Sequence, residues 1–383
     1  MAKLAFHNAR LITPIQLVLD SVLLVHDQKI LGMVSPHAVP DEFAPIDIQG
    51  AWLAPGFIDI HVHGASGADT LDGTIDAIKT ISHRHLLEGT TSILPTAASA
   101  SAPVMMAAVH AVRDAMALPE LCGRVLGIHL EGPFLAPHFS GAHRVEALRT
   151  PAECLEEWHA YVHEPTVKLI TLAPELEGSE QLIKEAVERG VRVAAGHTNA
   201  DYALIHKAAG WGVNQCSHLF NAMLGLHQRE PGTVGAMLAL DSQYAQFIAD
   251  GLHLHPSVLR IIARCKGAEK GILISDAVSA AGMPEGTYSL GDTEVVRQGN
   301  AVYTSEGQLA GSTLSMAEAV RNMVKLAAIG LQTAVQMATL TPAQAMGIDG
   351  SKGSLNKGRD ADLVVLNDNL EIVQVWSRGQ QIR

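Results

Sequence analysis

Residues 57–64 read FIDIHVHG, and the two histidines of that octet, His61 and His63, have a spacing that chemistry can use. The run is apolar and β-branched, the pattern of a buried strand. Side chains two apart on a strand share a face. Both imidazoles therefore leave the same side just before Gly64 lets the chain turn. Neutral imidazole is a common metal ligand. His83 and His85 repeat the spacing within DAIKTISHRHLLEGT, a helical pattern. On a helix, positions two apart diverge by roughly 200°, so the second pair carries no such meaning.

Further donors fall at the ends of candidate strands. They are Glu131 in HLEGPF, His197 in AAGHTNA, His218 in QCSHLFNAM and Asp276 in LISDAVSAAG, with His253 just after a strand in ADGLHLHP. Imidazole and carboxylate hold divalent ions at about 2.0–2.2 Å. A carboxylate between two groups of histidines could bridge two ions, which hydrolases keep roughly 3.5–4 Å apart. A lone histidine at a strand end is more often a hydrogen-bonded core or rim group. That plain reading is kept for His26, His37, His83, His85, His110, His159 and His206. Asp276 could be a buried acid fixing a loop, but the small residues after it favour a place beside a ligand. Cys216 shares the face of His218 and reads as barrel filling. Lys168 would be the candidate for a carbamylated bridge, yet it sits near the start of its strand, at the wrong rim. Glu131 is the preferred anionic ligand.

These residues need a scaffold that brings distant strand ends together. Candidate strands lie at 57–63, 91–95, 125–131, 167–172, 191–196, 213–218, 245–250 and 271–276, with helical patterns such as SEQLIKEAVERG and NADYALIHKAAGWG between them. Gly190 and Gly212 stand where those helices should stop. Eight alternating strands predict a (β/α)8 TIM-like barrel, whose chemistry sits at the C-terminal rim. The flanks read differently. LAFHNARLIT, SVLLVHDQKILGMV with a turn at Asp27-Gln28-Lys29, DADLVVLND and IVQVWSRGQQI are short β runs. They predict a small β-sandwich domain of residues 1–54 plus 350–383 around a barrel of 55–349. Residues 284–310 read as inserted β-hairpins. Helices are expected at 313–328 and 333–347, with Thr341 as an N-cap before Pro342.

Composition bounds the partners. A chain of 383 residues, 48% hydrophobic and 17% charged, supports a large core. No uninterrupted apolar run of about 18 residues suggests a membrane span, and MAKLAFHNARLITP reads as the start of the fold, not a signal peptide. The four cysteines form no CxxC motif, which suits a reducing cytoplasm. A net charge of −12 disfavours nucleic acid as a partner, while a local basic pocket would still admit a small anion.

The motifs, in this order, resemble the amidohydrolase superfamily and, within it, the N-acetylglucosamine-6-phosphate deacetylase family. The resembling segments run from LAPGFIDIHVHG (53–64) through GIHLEGPFL (127–135), LAPE (172–175), GHTNA (196–200), SHLFNAM (217–223), REPG (229–232), IADGLH (248–253), SDA (275–277) and LAGSTLSMAEAVRNM (309–323) to the glycine-containing tail at 353–365. The resemblance implies a homodimer of barrels, each with a β-sandwich built from both chain ends. It implies that Glu131, His197 and His218 bind one divalent metal ion. Zinc is the first choice, with iron, cobalt, manganese or nickel also accommodated. Some relatives lack the first-strand histidines; retention of His61 and His63 leaves room for a second ion near Asp276 and Glu131. Asp276 would be general base and acid, and His143 in SGAHRV would stabilise an oxyanion. Asn221, Ala222, His253 and Arg229 would bind a 6-phosphate, with Arg229 supplied by the neighbouring subunit. Three other readings remain. One is N-acetylgalactosamine-6-phosphate deacetylase, another a cyclic amide amidohydrolase, and the last a non-enzymatic metal-binding protein.

Overall fold

The apolar runs become strands buried on both faces, the condition of a parallel sheet covered by helices. In the computed structural model, which describes residues 2–383, one parallel sheet runs through Phe57–Val62, Thr90–Ala97, Ile128–Glu131, Val167–Leu172, Arg192–Ala195, Gln215–Cys216, Tyr244–Ile248 and Gly271–Ile274 in sequence order. Every residue of Phe57–Val62 and Thr90–Ala97 is buried. Val62 bridges Ala277 in parallel, and the Asp276 N–H donates to the His61 carbonyl at 2.9 Å. The last strand thereby meets the first, and the barrel expected from sequence is present. Asp59 reinforces that seam. Its Oδ1 accepts the backbone N–H groups of His61 (3.2 Å) and Ser275 (3.3 Å), and its Oδ2 the Ser275 hydroxyl.

The inserted hairpins form an antiparallel meander of Gly286–Leu290, Thr293–Gln298, Ala301–Thr304 and Leu309–Ser312. It has its own apolar contacts through Val278, Leu290, Val295 and Val302. Thr293 Oγ1 donates to the Ala142 carbonyl at 3.1 Å and the Gly291 N–H to Asp69 Oδ2 at 3.1 Å. These bonds pin the meander beside the barrel mouth.

Strands from both chain ends build the small β domain. One sheet holds Lys3–His7, Val22–His26, Lys29–Val34 and Ala44–Asp47. In the other, Trp52–Pro55 pairs antiparallel with Leu363–Leu366. Phe6, Leu23, Val25, Leu53, Leu363 and Trp376 fill one core between them. The Phe6 and Trp376 rings meet edge to face with centroids 5.0 Å apart. The hairpin turn falls at Asp27 and Gln28, as expected.

Two local expectations are corrected. Residues 333–347 are not one helix but Leu331–Met337 and Leu340–Met346. The break lets the Ala338 carbonyl accept the N–H of Ile58, in the first barrel strand, at 2.9 Å. Thr341 lies inside the second helix, whose N-cap is Thr339. Pro342 still falls in the first turn, where its missing N–H costs nothing. Among the described residues, no helix is long and apolar enough to cross a membrane. The four cysteines are free thiols.

One buried ion pair ties the C-terminal tail down. Lys352 Nζ lies 2.6 Å from Asp362 Oδ2 and 3.0 Å from Asp360 Oδ2. Asp362 Oδ1 also accepts the Arg378 N–H at 2.9 Å. Burial pulls the Lys352 ammonium down, but the two aspartates outweigh it and hold its pKa above the usual lysine value. Lys352→Met leaves Asp362 buried without its countercharge, a loss of about 3–5 kcal/mol. Urea denaturation should show a lower midpoint with little change in activity.

Candidate functional site

The predicted donors converge at the C-terminal mouth of the barrel. His61 lies in the first strand, His63 just past its end, and Glu131 ends the third. His197, His218 and Asp276 lie just past the strands that carry them, at φ 49°, 26° and 51°. Left-handed backbone is uncommon for non-glycine residues and concentrates at functional sites. Here it turns each side chain back over the mouth. Gly196 permits one such turn, because a Cβ there would come within 2.8 Å of Thr171 Cγ2 and 3.0 Å of Ser217 Cβ.

Hydrogen bonds fix which ring nitrogen faces inward. His197 Nδ1 meets the Phe139 carbonyl at 2.7 Å and His218 Nδ1 the Asn221 carbonyl at 3.1 Å. A carbonyl only accepts, so each Nδ1 carries its proton and, in the neutral ring, Nε2 carries the lone pair. The two Nε2 atoms are 3.1 Å apart, and lie 3.4 Å (His197) and 2.9 Å (His218) from Glu131 Oε1. Two lone pairs and a carboxylate oxygen at such range repel unless a positive charge lies among them. Imidazole nitrogens and a carboxylate oxygen are also the donors a divalent transition ion prefers. The donor set therefore fits a metal ion.

A second group adjoins the first. His61 Nε2 lies 3.2 Å from Glu131 Oε1 and 3.4 Å from Asp276 Oδ1, and His63 Nε2 lies 3.2 Å from Glu131 Oε2 and 3.3 Å from Asp276 Oδ1. His61, His63 and Asp276 form one cluster able to hold an ion; His61, Glu131 and His218 form another. His143 differs. Its Nδ1 accepts the Ser99 N–H at 3.1 Å, so Nε2 carries the proton and donates to Glu131 Oε2 at 3.2 Å. It offers the site a donor where its neighbours offer lone pairs.

With no ion bound, protons take up the charge. Burial disfavours ionised Glu131, but the surrounding histidines hold its carboxyl well below the usual range. Asp276 is likewise opposed by burial yet brought to about 2 by His61 and His63. Burial pushes His63 down, and Asp276 and Glu131 outweigh it, raising the ring to about 10. Burial lowers His197 to about 4. Relative to an unfolded histidine near 6.5, the raised His63 contributes stability in full below pH 6.5 and loses it as pH rises towards 10. Chelator-treated protein should thus show a urea midpoint that falls between pH 6.5 and 9.5. Saturating zinc, which replaces the proton, should flatten that fall.

A cavity of about 150 Å³ opens on this cluster, lined by His63, Glu131, His143, His197, His218 and Asp276. Asn221, Ala222 and His253 also line it, and Leu290, Leu309 and Gly311 join the lining from the meander. His253 Nδ1 bonds Asp250 Oδ2 at 2.6 Å, which fixes the ring. The Asn221 N–H is turned to the His218 carbonyl at 2.9 Å. Arg229 lies outside this cavity, on the exposed segment 225–230. A larger space of about 440 Å³ shares Ala142, His143 and Leu290 with it.

Sequence reasoning passed over the residues that hold these side chains. Asp250 precedes His253 by three, a spacing that could have signalled the pair. Gln246 is a polar residue in the apolar run AQFIAD, and its Oε1 faces His61 Nδ1 at 3.2 Å. Asp59 shares the face of His61 by simple alternation. The role of Ser99 is carried by backbone, which no side-chain pattern announces. Lys168 lines a separate pocket with Gly190 and Arg192, one that shares no residue with the cavity above, and Cys216 is fully buried in the core.

Comparison with known proteins gives a consistent result. The model of the amidohydrolase family matches residues 52–382. N-acetylgalactosamine-6-phosphate deacetylase of Escherichia coli O157:H7 is 39% identical over 328 residues, 86% of this chain and 87% of that one. N-acetylglucosamine-6-phosphate deacetylase of Bacillus subtilis is 37% identical over 331 residues, 85% of this chain and 83% of that one. Among solved structures, N-acetylglucosamine-6-phosphate deacetylase from Pasteurella multocida superposes with a TM-score of 0.94 at 31% identity, covering 99% of both chains.

Proposed function

The chain belongs to the amidohydrolase family, and from that premise we propose that it hydrolyses N-acetylglucosamine 6-phosphate to glucosamine 6-phosphate and acetate. One observation carries the reading. Inward-facing imidazole lone pairs converge on Glu131 beside Asp276, in a cavity also lined by Asn221, Ala222 and His253.

Glu131, His197 and His218 would hold one divalent ion, zinc first, and His61 and His63 with Asp276 a second. Such an ion lowers the pKa of water and polarises a carbonyl. The chain's own groups do the rest. Asp276, ionised at neutral pH, takes the proton of the attacking water. It returns that proton to nitrogen, without which an amine leaves poorly. The His143 Nε2–H, which otherwise donates to Glu131 Oε2, would turn to the oxygen that gains charge. Leu290 and Leu309 shield the reaction from water. His253 and the segment at Asn221 and Ala222 receive the phosphate. Arg229 reaches it from the second copy of a homodimer, since in its own chain it stands away from the cavity. An arginine fork suits phosphate oxygens. We take residues 55–349 as the catalytic unit and 1–54 with 350–383 as the β domain, in a cytoplasmic protein.

The galacto epimer is the second reading, favoured by the 39% identity to the Escherichia coli enzyme named for it. Acetate release from both phosphosugars decides between them. A higher kcat/KM on the gluco epimer is expected, and a strong galacto preference reverses the order. Turnover of a dihydropyrimidine with none of either sugar would overturn the reading.

A further inference from the structure

We infer that Gln246 is the positioning residue that makes His61 a metal ligand, and so decides whether the His61 and His63 side of the centre takes an ion of its own. The inference rests on the two-ion reading above.

The carboxamides of Asn214, Gln215 and Gln246 form one chain that runs from a partly buried end at Asn214 to the fully buried Gln246. Gln215 Nε2–H donates to Asn214 Oδ1 at 3.3 Å, and Gln246 Nε2–H to Gln215 Oε1 at 3.0 Å. That direction leaves Gln246 Oε1 facing His61 Nδ1 at 3.2 Å. Gln215 and Gln246 are both fully buried, so water does not compete for these groups. An amide oxygen only accepts. The His61 proton is therefore held at Nδ1, and the lone pair of Nε2 points at Glu131 and Asp276. Among the described residues that Nε2 has no hydrogen-bond partner, and it lies 3.2 Å from Glu131 Oε1 and 3.4 Å from Asp276 Oδ1, a set of donor atoms that fits a cation.

The two halves of the centre differ in what orients them. His197 and His218 are held by the backbone carbonyls of Phe139 and Asn221, which substitution does not remove. His63 Nδ1 has no partner among the described residues. His61 alone depends on a side chain. The first ion is thus built into the backbone, whereas the second is tuned at position 246.

Equilibrium dialysis against Zn²⁺ tests this with the full-length protein. The wild type should bind two ions per chain. Gln246→Met, close in volume, should keep the first and weaken the second by about 10–100-fold, the usual cost of losing a group that orients a ligand. Gln246→Glu keeps the acceptor oxygen and should keep both ions. Gln215→Met, one link further out, should weaken the second ion by less. If Gln246→Met does not fold, the last two variants decide: loss of the second ion in Gln246→Glu, or no change in Gln215→Met, overturns the inference. Unchanged binding of both ions by folded Gln246→Met overturns it, as does loss of both, which would mean that Gln246 supports the barrel and not His61. A wild type that binds one ion overturns the two-ion reading and this inference with it.

Discussion

Asp276→Asn is expected to lower kcat by about 10²–10⁴-fold, the range that a general acid–base group supplies, with KM changed only slightly. The substitution is nearly isosteric. Asparagine also tolerates the left-handed backbone at this position, where φ is 51°, so the fold should be retained. What is lost is specific. A carboxamide cannot take a proton from water or return one to a leaving nitrogen. Glu131, His197 and His218 are untouched, so the ion at that set should remain, and elemental analysis can confirm that the rate fell with the ion in place. Steady-state kinetics within tenfold of the wild type would exclude Asp276 as the proton carrier.

Glu131→Gln should act on the other half of the chemistry, abolishing acetate release along with ion binding. Glu131 is the one anion within about hydrogen-bond range of five imidazoles, with contacts of 2.9–3.4 Å to His61, His63, His143, His197 and His218. An amide in its place offers one neutral oxygen and presents N–H groups to lone pairs. Zinc affinity should fall by more than the roughly 10–100-fold lost when a residue that only orients a ligand is changed. Millimolar zinc should not restore activity. Titration of the purified variant with zinc, alongside acetate release, checks both. A variant that keeps a stoichiometric ion and a rate within tenfold of the wild type would remove Glu131 from the centre.

The barrel was legible because its strands are short apolar runs separated by helical patterns, and because donors recur at the same end of successive runs. His61 and His63 declared a shared face through strand alternation alone. His197, His218 and Asp276 were found by position at strand ends, although their side chains reach the mouth through positive φ angles that no periodicity reveals. Gln246, Asp250 and Ser99 were not found. Each acts by orienting another residue. Asp250 does so locally, three residues from His253, whereas Gln246 and His61 meet across 185 residues, a pairing that depends on the closed barrel. The helix expected over 333–347 breaks where Pro342 lacks the N–H that the Ala338 carbonyl would accept; that carbonyl accepts the Ile58 N–H instead, so the signal for the break was in the sequence.

The central claim is that residues 131, 197 and 218 surround a divalent ion at the barrel mouth. Anomalous scattering at the zinc edge from crystals of zinc-loaded, acetate-releasing protein tests it directly. The account predicts a peak about 2.0–2.2 Å from the Nε2 atoms of His197 and His218 and from a Glu131 oxygen. Active crystals whose zinc lies elsewhere, or that carry none at this set, would contradict it.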